Sequence, residues 1–257
     1  DVDIQEFMVV PHGFDDFPTA LRAGTECYHA LKNELKNDGL LTGLGDEGGF
    51  APNLPTNEEG LRYMVKAIEG AGYSTEEIGI ALDVAASEFF SSGMYNVEGR
   101  RISGDEFSEL YSGWVDKYPL ISIEDPFDED DWSSWQKLTK EVGSKCQIVG
   151  DDLFVTQVSR LSKGIETEAS NSILVKLNQV GTVTETADTM KMAWDSKFTT
   201  VISHRSGETA DNTIADLSVG SGAGQIKTGA PARSDRTSKY NQLLRISESC
   251  DVYARPF

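Results

Sequence analysis

The sequence is poor in basic residues and in long hydrophobic runs. Only 23 lysines and arginines stand against 42 aspartates and glutamates, which gives a net charge of −19. A nucleic-acid partner is therefore not expected, because phosphate backbones are bound by basic surfaces. No apolar stretch approaches the roughly 20 residues that a membrane span needs. The opening DVDIQEF lacks the basic start of a signal peptide.

Cysteine is also scarce, and a dinucleotide-binding glycine motif is missing. Cys27, Cys146 and Cys250 are odd in number, far apart and not in a metal-binding spacing. This usage indicates a reduced, cytoplasmic setting, and we expect each cysteine to be buried and inert. No Gly-x-Gly-x-x-Gly follows the first apolar run, which argues against an open doubly wound sheet.

What the chain does contain is a regular alternation of short apolar runs and stretches with helical periodicity. Near-continuous apolar runs are typical of parallel strands that are covered on both faces. Capping-box pairs at Thr56 and Glu59, Ser103 and Glu106, and Thr182 and Glu185 indicate helix starts. Trp132 and Trp135 lie in a helical stripe and are expected in the core. The seven predicted strands fall within 4–10, 78–83, 120–125, 146–152, 172–176, 199–204 and 224–227.

This alternation predicts a parallel α/β fold, and the length favours a closed barrel. The 257 residues are close to the about 250 that are typical of a (β/α)8 barrel. Because a closed barrel needs eight strands and seven are predicted, we expect one strand to lie before residue 1. No Pro/Gly-rich linker divides the chain. We therefore predict one domain over 1–257 that is incomplete at its N-terminus.

Six successive predicted strands end in ionisable residues. In a barrel, these ends would form one ring around the mouth, where barrel active sites are built. Taken singly, such an aspartate is more often a helix cap, such a lysine more often reaches solvent, and a lone histidine is more often structural. The ordered change from acids to bases favours a functional site. These residues are Asp83, Glu124 with Asp125, Asp151 with Asp152, Lys176, His204 with Arg205, and Lys227.

Adjacent carboxylates at three strand ends indicate a cation site. Asp83, Glu124 and Asp151 would repel one another unless a cation lay among them, and carboxylates with retained waters are typical of Mg²⁺. Across the ring, Lys176 is expected to be neutral when substrate arrives and to act as a general base. The alternative is that Lys176 forms a salt bridge with a neighbouring acid.

Two loops add further candidate residues. LGDEGGFAPN, residues 44–53, carries Glu47 among glycines that let the backbone approach a ligand closely. SHRSGET, residues 203–209, brings together His204, Arg205 and Ser206, a combination that suits a phosphate or a carboxylate. A plain glycine-rich turn and a helix cap are the alternative interpretations of these loops.

Several of these segments together resemble the enolase family. They are IQEFMVVP, GDEGGFAPN, IEDPF, the DDL after IVG, LVKLNQVGT, SHRSGET and QIKTGAPARS, and they run in the family's order from residue 4 to about 245. The resemblance is to the large C-terminal domain, a TIM-type (β/α)8 barrel of the enolase kind. GLGDEGGFAPNLPTN and ALDVAA are similar to bacterial members.

The resemblance implies Mg²⁺-dependent dehydration of 2-phospho-D-glycerate to phosphoenolpyruvate in glycolysis. It implies that Lys176 removes the proton on carbon 2 and that Glu47, paired with Glu6, assists loss of the hydroxyl from carbon 3. Asp83, Glu124 and Asp151 match the metal ligands, and Asp152 neighbours them. The residues that match substrate contacts are Gln5, His204, Arg205, Ser206 and Lys227.

The sequence departs from the family's pattern at its front. The N-terminal capping domain, the first barrel strand and a Ser-His-Ala-Gly segment are not among the 257 residues. Two other interpretations therefore stay open: a different proton-abstracting enzyme of the superfamily, or a catalytically impaired domain that binds plasminogen at the cell surface. The family also implies a homodimer or homo-octamer, with a cytoplasmic and in some cases surface or secreted location.

Overall fold

The computed structural model describes residues 2–255 and 257, and each of the seven predicted strands is confirmed within it. The strands are β1 (Glu6–Pro11), β2 (Ile78–Asp83), β3 (Phe90–Ser91), β4 (Met94–Val97), β5 (Arg100–Ile102), β6 (Leu120–Glu124), β7 (Gln147–Gly150), β8 (Ser172–Val175), β9 (Thr199–Ser203) and β10 (Ile226–Lys227). The helices are α1 (Phe17–Asn37), α2 (Asn57–Gly70), a 3-10 turn (Ala86–Phe89), α3 (Gly104–Lys117), α4 (Trp132–Val142), α5 (Val158–Glu166), α6 (Leu177–Val180), α7 (Val183–Asp195), α8 (Thr213–Gly220) and α9 (Ser234–Ser247).

The described residues form two compact units whose segments interleave along the chain. The first unit contains the residues up to Met8, Pro55–Glu58 and Ile80–Thr200, and the second contains Val9–Leu54, Glu59–Gly79 and Val201–Phe257. The expectation of a single domain over 1–257 stays a prediction.

Strands β1, β2, β6, β7 and β8 are neighbours in this order, and the pairs β2–β6, β6–β7 and β7–β8 are parallel. All residues of β2, β7 and β8 are buried, as expected for apolar strands with both faces covered. The same expectation is wrong for β1 and β10, whose residues are all half-buried. β1 is the first strand in this order, so among the described residues the order gives it a neighbouring strand, β2, on one side only.

Two helix starts in the first unit follow the predicted capping chemistry, and the Thr56 and Glu59 pair stays a prediction. The Ser103 side chain accepts from the Glu106 backbone N–H while the Glu106 carboxylate accepts from the Ser103 N–H, a complete capping box. Thr182 accepts from the Glu185 N–H at the start of α7. Trp135 is fully buried, as predicted, whereas Trp132 is half-buried beneath the Lys163 ammonium.

A small antiparallel sheet of β3, β4 and β5 was not predicted from the sequence. Its strands have two to four residues, too few for an alternating pattern to be recognised. Gly93 and Gly99, with φ of 74° and 71°, allow the two tight turns. Tyr95 of β4 is fully buried beside Phe107 of α3, which anchors this sheet in the unit's aromatic core.

The second unit contains the end of β9, all of β10 and the helices α1, α8, α9 and most of α2. The β9 and β10 strands pair in parallel, with Ile202 opposite Ile226 and Ser203 opposite Lys227. The C-terminal helix α9 contains two fully buried cationic side chains, Arg236 and Lys239. Burial of two cations on one short helix indicates that backbone or side-chain acceptors surround them.

Two of the three cysteines agree with the expectation that each is buried. Cys27 and Cys146 are buried, and burial raises the pKa of their thiols to about 11 and about 12. The expectation is wrong for Cys250, which is partly exposed because it lies beyond the end of α9. Within the described ranges, every helix is too short or too polar to cross a lipid bilayer.

Candidate functional site

The predicted acids Asp83 and Glu124 stand side by side at the ends of β2 and β6. They are opposite each other in the parallel register, and both are buried. Neighbouring positions on parallel strands carry their side chains on the same face of the sheet. The two carboxylates therefore share one face of the first unit, as the strand-end pattern predicts.

Asp151 and Asp152, which follow β7, are held by Asp125, which follows β6. One carboxylate oxygen of Asp125 accepts from the Asp151 backbone N–H at 2.9 Å, and the other accepts from the Asp152 N–H at 2.8 Å. Asp125 has a left-handed φ of 43°, so the chain turns sharply after the strand. Asp125 was predicted only as a residue that follows a strand. Its hydrogen bonds to the backbone of Asp151 and Asp152 were not predicted.

Asp125, Asp151 and Asp152 form an acidic cluster. One carboxylate oxygen from each lies within 4.8 Å of the others. Burial, and then the charge of Asp151, raise the pKa of the Asp125 carboxyl well above its usual range. Burial, followed by the Asp151 charge, also raises the pKa of Asp152. The donors are all oxygens, so the cluster fits a hard divalent cation.

This acidic cluster overlaps the predicted metal ligands at Asp151 only. Asp125 uses both of its oxygens on backbone N–H groups, which leaves it less suited to a ligand role. The negative charges of Asp83 and Asp151 both reach Asp125 and Asp152. The predicted set of Asp83, Glu124 and Asp151 therefore lies around the same acidic region and stays a prediction.

Lys176 directly follows β8 and is ion-paired with the acidic cluster. Its Nζ lies 2.5 Å from Oδ2 of Asp151, while Nε2 of Gln179 donates to the other oxygen of Asp151 at 2.9 Å. The Thr156 hydroxyl accepts from the Lys176 backbone N–H and donates to Gln179. This is the salt bridge that the alternative interpretation of Lys176 predicted, and the base role stays a prediction.

Gln5 and Glu6 lie at the start of β1. Glu6 is the first residue of the strand and is half-buried, and Gln5, just before it, is exposed. The pairing of Glu6 with Glu47 and the substrate contact of Gln5 stay predictions.

In the second unit, the structure brings Glu47, His204 and Ser206 together. His204 follows β9, is buried, and donates its backbone N–H to the Lys227 carbonyl at 3.1 Å. Its Nε2 lies 3.0 Å from Oε2 of Glu47, and the Ser206 hydroxyl donates to Oε1 of Glu47 at 2.9 Å. The two predicted loops thus meet at the Glu47 carboxylate, whereas the side chain of Arg205 is exposed.

Arg236 of α9 contacts several residues of this group and was not predicted from the sequence. Its fully buried guanidinium contacts Nδ1 of His204 at 2.5 Å and donates to the Arg205 carbonyl at 2.8 Å. It also donates to the carbonyls of Ser206, at 2.8 Å, and Asp46, at 3.2 Å. The segment SDRTSKYNQ is polar throughout, so a sequence pattern alone indicates a solvated helix start.

The surroundings of His204 favour its neutral form. Burial lowers the pKa of His204, and the neighbouring Glu47 carboxylate opposes this shift. The positive charges of Arg236 and Lys227 lower the pKa further. A neutral imidazole carries one donor and one acceptor nitrogen, so its two ring nitrogens have different roles.

Parallel strands that alternate with helices and carry acids at their carboxyl ends define an α/β protein of the barrel-forming class. The family model described as "Enolase, C-terminal TIM barrel domain" matches residues 1–255. The chain belongs to this family, and the predicted fold class is confirmed.

A curated relative agrees with this assignment. The chain is 59% identical over 248 residues to a protein named enolase from Beutenbergia cavernae. The alignment covers 96% of this chain and 58% of that relative, so the chain spans less than two thirds of the relative's length.

Proposed function

We propose that this chain is the barrel part of an enzyme that dehydrates 2-phospho-D-glycerate to phosphoenolpyruvate with Mg²⁺. The observation that carries the proposal is the contact of Lys176 with Asp151 inside an acidic cluster at the ends of β6 and β7. A base beside a cation site is the arrangement needed to remove a proton next to a carboxylate. The family match and the name of the relative support the substrate class.

Asp83, Glu124 and Asp151 would hold the Mg²⁺, with Asp125 bracing the backbone of Asp151. The buried, mutually repelling carboxylates and the raised pKa of Asp125 and Asp152 support a cation in this region. When bound, Mg²⁺ supplies positive charge that stabilises negative charge developing on a substrate carboxylate. The ligand chemistry is all oxygen, which suits Mg²⁺ better than softer metals.

Lys176 acts as the general base in this proposal. Before it can accept the proton on carbon 2, its ion pair with Asp151 must open and its amine must be neutral. Gln179, which donates to the other oxygen of Asp151, would keep that carboxylate in place while Lys176 turns to the substrate. Thr156 would hold the Lys176 backbone during this movement.

Glu47 acts as the acid that assists departure of the hydroxyl from carbon 3, with Glu6 as its partner. Its contacts with His204 and Ser206 would orient the carboxyl group toward the leaving oxygen. The substrate's phosphate and carboxylate would be contacted by Arg205, Ser206, Lys227 and Gln5. Both substrate groups are anionic, which suits the cationic side chains of Arg205 and Lys227. The Arg205 side chain is exposed and able to reach an incoming ligand.

A direct assay tests this proposal. The chain, and the chain extended to the length of the relatives, are each supplied with 2-phosphoglycerate and Mg²⁺, and phosphoenolpyruvate is measured by a coupled reaction. The extended protein is expected to form product only with the metal. A folded extended protein that forms none would contradict the proposal. The other superfamily chemistry, plasminogen binding, a homodimer or homo-octamer and a cytoplasmic location stay predictions.

A further inference from the structure

Arg236 meets His204 in a way that constrains the protonation of the imidazole. The guanidinium Nη1 lies 2.5 Å from Nδ1 of His204, and both side chains are almost completely buried. A guanidinium has five N–H donors, has no acceptor and stays protonated in proteins. Nδ1 of His204 must therefore be the acceptor, and it cannot carry a proton.

The proton of the neutral imidazole must then lie on Nε2. This nitrogen is 3.0 Å from Oε2 of Glu47, and a lone pair facing a carboxylate at that distance would be repelled. Nε2 is buried and, among the described residues, makes no well-aligned hydrogen bond. Its N–H is thus available to the oxygen of a ligand or, after a small rotation, to Glu47.

We propose that Arg236 is a positioning residue that fixes His204 as the neutral Nε2–H tautomer and so keeps a hydrogen-bond donor beside the Glu47 carboxylate. The importance of this donor for dehydration rests on the proposed function. The tautomer itself does not, because it follows from the contacts of the chain alone.

The rest of the Arg236 environment supports a fixed guanidinium. Its remaining Nη donors reach three carbonyls from the two predicted loops, and its Nε lies 3.1 Å from Oδ2 of Asp235. Gly229, with φ of 83°, leaves room for it, because a Cβ there would lie 2.9 Å from Cδ of Arg236. The guanidinium is therefore held on several sides and cannot turn away from Nδ1.

The charged groups around the imidazole are consistent with a neutral ring. Glu47 faces Nε2, Arg236 faces Nδ1, and the charge of Lys227 also reaches the ring. Two cations and burial act against protonation, while one carboxylate favours it, and the pKa of His204 is lowered overall.

Long-range proton–nitrogen NMR spectra of protein labelled with ¹⁵N-histidine test the tautomer without any ligand. The chain has only 3 histidines, so a His204→Gln sample identifies the signals of interest. We expect one neutral Nε2–H pattern at neutral pH, with no averaging between tautomers. An Nδ1–H pattern, a mixture or an imidazolium in the wild-type protein would overturn the proposal, with no variant needed.

Two variants and one control then separate positioning from general stability. Arg236→Met removes the donor and is expected to give a mixture of tautomers, whereas Arg236→Lys retains a donor and should preserve more of the Nε2–H form. Lys239→Met removes the other buried cation of α9, whose ammonium contacts the Thr209 and Asp235 carbonyls rather than His204, and should leave the tautomer unchanged.

The outcomes of this experiment are separate from those of the catalytic assay. A wild-type Nε2–H tautomer in an extended protein that makes no phosphoenolpyruvate would support the role of Arg236 and contradict the proposed function. Product formation by a protein whose His204 carries its proton on Nδ1 would support the proposed function and contradict the role of Arg236. A folded Arg236→Met variant that keeps a single Nε2–H tautomer would also overturn the role of Arg236.

Discussion

The acidic cluster of the first unit and the group of Arg236, His204, Glu47 and Ser206 in the second unit use opposite hydrogen-bond roles. The buried side chain accepts from the backbone in the first and donates to it in the second. Asp125 is a buried carboxyl group that accepts from the backbone N–H groups of Asp151 and Asp152. Arg236 is a buried cation that donates to three backbone carbonyls. In both units, a buried ionisable side chain holds the backbone that carries candidate functional residues.

The difference lies in the charges that surround each buried group. Burial raises the pKa of Asp125, and the charges of Asp151, Asp83 and Asp152 raise it further. Arg236 is close to carbonyl dipoles and to the carboxylate of Asp235, so most of its neighbours attract it. The first arrangement gathers like charges around the buried group, whereas the second surrounds the buried cation mainly with acceptors.

Substitutions of Arg236 and Asp125 should lower the free energy of unfolding by unequal amounts. Arg236→Met removes the donor of several carbonyls and is expected to lower the free energy of unfolding by about 3–5 kcal/mol. Asp125→Asn loses one N–H acceptor, but relief of charge repulsion offsets part of that loss, so about 1 kcal/mol is expected. Urea unfolding measures both values. A larger loss for Asp125→Asn would remove the distinction between the two groups.

Added Mg²⁺ should stabilise the first unit's site and depend on Asp151. A ligand that binds only the folded state stabilises it by about 2.7 kcal/mol at roughly a hundredfold excess over its Kd. We expect Mg²⁺ to raise the Tm of the wild-type chain and to have a much smaller effect on Asp151→Asn. Thermal unfolding with and without chelator measures this. Asp188→Asn, on α7, is a control, and an equal Mg²⁺ effect in all three proteins would count against the site.

Glu47→Gln should separate the chemistry of the second unit from that of the first. Removing a general acid costs roughly 10²–10⁴-fold in rate, so dehydration by the extended protein should fall by at least about 10²-fold. Exchange of the carbon-2 proton with solvent should fall less, because Lys176 is unchanged. Deuterium exchange by NMR and product formation are compared in one sample. Equal losses in both would contradict the acid role of Glu47.

The smallest expected effect is a pH dependence from His204. Burial lowers its pKa in the folded protein, so the unfolded chain binds more protons as the pH falls through the ordinary value of about 6.5. The stability from this residue is fully present above that pH and declines below it. Unfolding free energies between about pH 5 and 7 should have a shallower slope in His204→Gln. An unchanged slope would argue against the lowered pKa.

Much of the first unit's site was predictable because its residues follow directly from strand ends. Apolar runs locate β2, β6, β7 and β8, and the residues just after them must lie at one edge of the sheet. The bracing by Asp125 was not predictable, because it depends on a left-handed φ and on hydrogen bonds between separate segments. The sequence also predicted too much burial for β1. A local sequence pattern does not show that a strand lies at one end of the strand order.

The second unit's site was only half predictable for a different reason. The residues Glu47, His204 and Ser206 belong to local segments whose glycines and polar side chains indicate a ligand loop. Arg236 lies 32 positions beyond His204 in chain order, on a helix whose local pattern is that of a solvated surface. Its burial comes from tertiary packing, which overrides local polarity.

We propose that Lys176, beside the acidic cluster, removes the proton from carbon 2 of the substrate. Exchange of that proton with deuterated solvent, followed by NMR in the extended protein with Mg²⁺, tests the claim most directly. We expect Lys176→Ala to lose exchange by roughly 10²–10⁴-fold while Mg²⁺ still raises the Tm. Exchange at the wild-type rate in folded Lys176→Ala would contradict it.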